Sequence, residues 1–111
     1  MPNQQAIDTT FRALSDPVRR AIVMALTEGP RPVKALAEPH SLKLPTVLQH
    51  LSLLEAGGLV TTRKEGRARI VTLNPEGLRT AENWLADRRA LWERRFDRLD
   101  EYLKSEKEND T

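Results

Sequence analysis

The stretch from Leu44 to Val60, Leu-Pro-Thr-Val-Leu-Gln-His-Leu-Ser-Leu-Leu-Glu-Ala-Gly-Gly-Leu-Val, constrains the fold more than any other part of the chain. Pro45 suits the first turn of a helix, where its missing N–H costs nothing. Val47, Leu51 and Leu54 recur at helical spacing, which predicts a helix over about 45–57 with one apolar face. Gly57-Gly58 offers a stop, and β-prone Leu59-Val60-Thr61-Thr62 follows at once. The opposite face carries Thr46, Gln49 and Ser52, side chains able to hydrogen-bond base edges or phosphates. A short helix with a polar outer face that runs into a hairpin has the layout of a DNA-reading helix and its wing.

The flanking segments supply a body for that helix to pack on. Residues 4–14 read as a first helix with Ile7, Phe11 and Leu14 on one side. Asp16 can cap a second helix and Pro17 fits its first position. That helix carries Val18, Ala21, Ile22, Ala25 and Leu26 inward and ends at Gly29-Pro30. Residues 33–38 make a short helix, broken by Pro39-His40-Ser41. Residues 59–64 and 68–73 read as two strands joined by Glu65-Gly66-Arg67. Asn74-Pro75-Glu76 then starts a last helix over about 75–104, and Ser105 to Thr111 reads as a charged, frayed tail. The fold class is mainly α with a small two-stranded β-wing, as a single domain over 1–104.

Thirty residues of helix extend about 45 Å, longer than so small a core needs. Leu78, Leu85, Trp92 and Leu99 recur every seven residues, joined by Phe96 and Leu103. A second copy of the chain is the economical cover for this stripe, with Ile7 and Phe11 of the first helix alongside. Trp84 lies off the stripe.

Charge is unevenly spread. Between residues 31 and 74, Arg31, Lys34, Lys43, Arg63, Lys64, Arg67 and Arg69 stand against Glu38, Glu55 and Glu65, a net of +4 on a chain whose total is +2. Positive charge gathered around the polar-faced helix is the footprint of a nucleic-acid partner. Cysteine is absent, which excludes disulfides, thiolate metal sites and cysteine nucleophiles, and the only histidines are His40 and His50. No nucleophile–base set, phosphate loop or histidine pair points to an enzyme or to a cofactor. No segment has the length of a membrane span and no signal sequence opens the chain, so the expected location is the cytoplasm, with the protein on the nucleoid when bound to DNA.

Phe11-Arg12-Ala13-Leu14-Ser15-Asp16-Pro17-Val18-Arg19-Arg20, with Pro45-Thr46-Val47 and His50-Leu51, closely resembles the ArsR/SmtB family of bacterial repressors. The wing and Leu73-Asn74-Pro75 fit the same pattern, so the resemblance covers about residues 7–103. It implies a winged helix-turn-helix and a homodimer through the first and last helices that binds a palindromic operator. It further implies an effector, a small molecule or a protein, that relieves repression. Metal-sensing relatives carry a Cys-x-Cys pair where this chain has Pro32 and Lys34, and the last helix contains no histidine. The resemblance is therefore to a subgroup without metal ligands. Ser41 stands where many relatives have a turn glycine, and Leu48 where many have a serine.

The residues expected to touch DNA are Lys43, Thr46, Leu48, Gln49, His50 and Ser52 on or before the reading helix, and Arg63, Lys64, Arg67 and Arg69 on the wing. Lys43 and Thr46 can grip a phosphate together with backbone N–H groups beside them. Gln49 has the geometry for a bidentate pair with adenine. Leu48 either meets a thymine methyl or packs. His50 either packs at the rim against a backbone carbonyl or offers its outer nitrogen to DNA. Arg67 is the residue expected at the minor groove, with the other wing cations on phosphates. The competing reading is a winged-helix interaction module that does not bind DNA.

Overall fold

The computed structural model describes residues 3–109. The elements are α1 (Gln4–Leu14), α2 (Pro17–Leu26), β1 (Arg31–Pro32), α3 (Val33–Ala37) with a 3-10 turn at Glu38–His40, α4 (Leu44–Ala56), β2 (Val60–Glu65), β3 (Ala68–Leu73) and α5 (Pro75–Asn109). Two compact units result, one up to Ala81 and one from Glu82 onward, and each is described by itself.

The first unit holds the hydrophobic core. Ile22 and Leu26 of α2, Val33 and Leu36 of α3, Val47, Leu51 and Leu54 of α4, Leu59 at the α4–β2 junction, and Val60 and Val71 of the sheet are buried together. Local signals set the helix ends as expected. The Asp16 carboxylate accepts the N–H groups of Val18 at 2.9 Å and Arg19 at 3.1 Å, capping α2. These bonds, that of Arg19 foremost, hold the Asp16 carboxyl below the usual carboxylate range. At the far end of α4, Gly58 adopts φ 73° while its N–H bonds Glu55 O and that of Leu59 bonds Leu54 O. This is a Schellman stop, sealed by the burial of both Leu54 and Leu59.

The sheet has three strands, in the order β1-β3-β2, where the sequence pointed to two. Arg31 and Pro32 pair antiparallel with Val71 and Ile70, so β3 is central. A two-residue strand gives no periodicity to read, and proline is tolerated on an edge strand. The hairpin itself is as expected: Glu65 pairs with Ala68 across Gly66-Arg67, and Gly66 has φ 62° in the first turn position. Ser41, also left-handed at φ 52°, turns the chain between α3 and α4.

Gly77, in the first turn of α5, packs on the junction between α4 and β2. A Cβ there would fall inside contact distance of Gly58 O, 2.7 Å from Gly58 C and 3.0 Å from Leu59 Cα. The obstacle is backbone, and Asn74 N–H ties the same junction by donating to Leu59 O at 2.8 Å. Gly77→Ala is therefore expected to destabilise the fold by ~1–3 kcal/mol, although alanine is the better helix former. A urea midpoint equal to that of the parent would show that the start of α5 is free to slide.

In the second unit, α5 continues as helix through 105–109, past the expected end at 104. Those residues are Ser-Glu-Lys-Glu-Asn, of which Glu and Lys are good helix formers, and Lys104 bonds Asp100 at 3.2 Å one turn earlier. Residues 110–111 of the expected tail lie outside the described residues. Leu85, Trp92, Phe96, Leu99 and Leu103 are all more than half exposed. Trp84 is half-buried and carries the Arg88 guanidinium 5.5 Å above its ring, so it forms a cation–π pair. No described helix is long and apolar enough to cross a membrane.

Candidate nucleic-acid interface

The reading helix is held from behind by one side chain, Arg19. It is 8% exposed and donates from Nε to Ala13 O at 2.8 Å and from Nη2 to Arg12 O at 3.1 Å. Both carbonyls lie in the last turn of α1, where helix geometry leaves acceptors unpaired and the dipole favours a cation. The third arm, Nη1, meets His50 Nδ1 on α4 at 3.2 Å. A guanidinium can only donate, so Nδ1 accepts, and a neutral ring keeps its proton on Nε2. His50 is half-buried, as the rim position required, but its partner is Arg19 rather than a backbone carbonyl. Arg19 owes this role to the folded structure and not to any motif around it. The contact bridges 31 positions, and no local pattern announces it.

At the other end of α4, the Thr10 hydroxyl donates to Gly57 O at 2.8 Å, and Gly57 packs against Ala13 and the backbone of Thr9 and Thr10. One buried and one half-buried polar contact thus fix α4 against α1 and α2, and with it the outward face.

That face holds the expected residues. Gln49 and Ser52 are exposed opposite buried Val47, Leu51 and Leu54, while Thr46 is half-buried. Lys43 is exposed at the N-cap and makes no side-chain cap bond. The expected backbone grip needs correction. Pro45 has no N–H, and the N–H groups of Thr46 and Val47 both bond Lys43 O, at 3.1 and 3.2 Å. An anion at this end would be held mainly by side chains. Leu48 is 36% exposed and lies in one groove with Leu44, Arg67 and Arg69, so the reading helix and the wing tip share a surface.

On the wing, Arg63, Lys64, Arg67 and Arg69 are all exposed. Arg63 is engaged, with Thr72 Oγ1 at 3.2 Å and the Glu65 carboxylate at 3.4 Å. Lys64 and Arg69 stand directly opposite each other in the ladder. Like charges in that register repel, a cost that an anionic partner would relieve. Among the residues expected at a dimer contact, Ile7 and Phe11 are half-buried, and Leu78 is half-buried against the core. Among the described residues, no group of three or more His, Asp or Glu is placed to hold a metal.

Comparison with known proteins agrees with this geometry. A family model described as a helix-turn-helix domain matches residues 14–63. The HTH-type transcriptional regulator Rv2034 of Mycobacterium tuberculosis is 40% identical over 78 residues, 70% of this chain and 73% of that protein. The HTH-type transcriptional repressor SmtB of the same species is 41% identical over 69 residues, 60% of this chain, which spans only 51% of that repressor's length. A crystal structure of an ArsR family transcriptional regulator superposes with a TM-score of 0.79 at 37% identity, covering 83% of this chain and 95% of the other. A solution structure from Mycobacterium bovis, of a homodimeric winged helix-turn-helix DNA-binding domain, gives a TM-score of 0.62 at 27% identity, covering 78% and 82%.

Proposed function

This chain belongs to the ArsR/SmtB family of winged helix-turn-helix transcriptional regulators, and on that footing we propose that it is a homodimeric repressor of a palindromic operator. The observation that carries the proposal is the outward face of α4. Gln49 and Ser52 are presented on a helix locked at both ends, beside a wing whose Arg67 and Arg69 share its surface. In a dimer, two such helices enter successive major grooves about 34 Å apart. Gln49 reads a base edge, Thr46, Ser52 and the outer nitrogen of His50 add polar contacts, and Lys43, Arg63, Lys64 and Arg69 bind phosphates. Arg67 at the wing tip enters or flanks the minor groove.

The dimer forms through α1 and α5. Support comes from the exposed stripe of Leu85, Trp92, Phe96, Leu99 and Leu103, and from the homodimeric relative. The last four are spaced four, three and four residues apart, the spacing of a coiled-coil seam. Pro32 and Lys34 offer no donor set for a thiophilic metal, so the proposed repressor answers to something else. It acts on DNA in the cytoplasm and has no catalytic role.

Two substitutions test this reading. In a binding assay with genomic fragments, beginning with the protein's own promoter, Gln49→Ala is expected to cost ~1–3 kcal/mol at the preferred site and little on unrelated DNA. Arg67→Ala is expected to weaken every sequence, and most those with a narrow minor groove under the wing. If both variants bind every fragment as the parent does, the outer face of α4 is not a reader; if the parent itself binds no fragment, the interaction-module reading replaces the repressor.

A further inference from the structure

The groove between α4 and the wing is chemically odd for a surface that meets only phosphates. Its volume is about 570 Å³, within the range of small-molecule sites. Pro32 and Val33 line it beside Leu44 and Leu48, one turn apart on α4. Leu44 is 54% exposed and Pro32 and Leu48 are exposed too, so these walls face solvent, while Val33 belongs to the core and only edges the groove. A phosphate gains nothing from such walls and loses water against them. The remaining lining includes three cations, Lys34, Arg67 and Arg69, and no acid. None of the three has an ion-pair partner among the described residues, whereas Arg31, Arg63 and Arg79 do.

An apolar trough rimmed by unpaired positive charge complements a molecule built the opposite way, with an apolar body and one anionic end. We propose that this groove binds a small amphipathic carboxylate and that the bound molecule competes with DNA. The apolar body lies on Leu44, Leu48 and Pro32, and the carboxylate meets the guanidinium groups of Arg67 and Arg69, with Lys34 at the rim. Burying an alkyl chain supplies the affinity, and the charge-assisted bonds select the anion. Competition follows because Leu48, Arg67 and Arg69 cannot serve both partners at once. That second half rests on the DNA-binding reading above, while the groove itself does not.

Decanoate is the probe, titrated calorimetrically into the DNA-free protein below its micelle concentration, with acetate and 1-decanol as controls. Saturable binding of decanoate at one site per protomer is expected, with at least tenfold weaker binding of either control. Leu48→Glu and the double variant Arg67→Gln/Arg69→Gln should each weaken decanoate about tenfold or more while melting as the parent does, since all three side chains are exposed. Absence of saturable binding, equal binding of 1-decanol, or undiminished binding by both variants overturns the site. In a second arm, saturating decanoate should weaken promoter binding by about tenfold or more. Unchanged promoter affinity overturns the competition. Decanoate binding by a protein that binds no DNA supports the groove and overturns the repressor reading, so the two failures are distinct.

Discussion

Raising monovalent salt from about 50 to about 200 mM is expected to weaken promoter binding by roughly 10³–10⁵-fold, provided the dimer makes ~6–10 phosphate contacts. The candidates on each protomer are Lys43, Arg63, Lys64, Arg67 and Arg69, all exposed. Each cation that neutralises a phosphate releases condensed counterions, so the logarithm of affinity falls linearly with that of salt, with a slope near −0.9 per contact. The five are not equivalent. Arg63 must first leave Glu65 and Thr72, so its contribution should be the smallest of the wing residues. Lys64 and Arg69 gain most, because a phosphate between them also relieves their mutual repulsion. Arg69→Ala should flatten the slope by about two, one contact for each protomer. A salt slope near zero would leave the basic wing without a polyanion to bind, and the repressor reading would fail with it.

Arg19→Met is expected to destabilise the fold by ~2–4 kcal/mol, more than Gly77→Ala. Methionine fills similar volume but donates nothing. Ala13 O, Arg12 O and His50 Nδ1 then lose a donor in a region that Arg19 itself occupies at 8% exposure. The Ser15 hydroxyl and N–H still donate to Arg12 O at 2.7 and 3.1 Å, so the losses that count are those at Ala13 O and His50 Nδ1. For a domain of about 100 residues this corresponds to a fall in Tm on the order of 10–20 °C. The same change unties α4 from α1 at His50, so DNA affinity should drop even at temperatures where the variant is folded. A melting temperature within about 3 °C of the parent would show that water replaces the guanidinium at little cost, and that Arg19 is not what holds the reading helix.

How far the sequence anticipates this structure depends on the range of the signal. Asp16-Pro17, Asn74-Pro75 and Gly57-Gly58 each act within a turn or two, and the helix ends fall where those residues require. The apolar faces of α2 and α4 follow from spacing, and Ile22, Leu26, Val47, Leu51 and Leu54 join the core, whereas α1 buries Thr10 and Ala13 and leaves Ile7 and Phe11 half-buried outside it. The exposure of Gln49 and Ser52 follows from the same arithmetic. Contacts between distant segments leave no such trace. Nothing local separates Arg19 from Arg20, yet Arg19 is buried and Arg20 is exposed, where its guanidinium donates to Leu14 O at 2.8 Å. Arg31 and Pro32 read as loop because their strand exists only through pairing with β3. Leu48, ambiguous on a helical wheel, becomes interpretable only when the wing is folded beside it.

The short strand β1 also decides how the wing can move. It pairs with Ile70 and Val71 and goes no further, so the ladder beyond that point has two strands rather than three. Residues 64–65 and 68–69, with the turn between them, therefore form a two-stranded cantilever about 7 Å long, held at its base by β1. Its compliance rises toward Arg67, the very end of the arm. Such a wing can tilt to follow duplexes of differing groove width while its clamped root leaves the angle of the reading helix undisturbed.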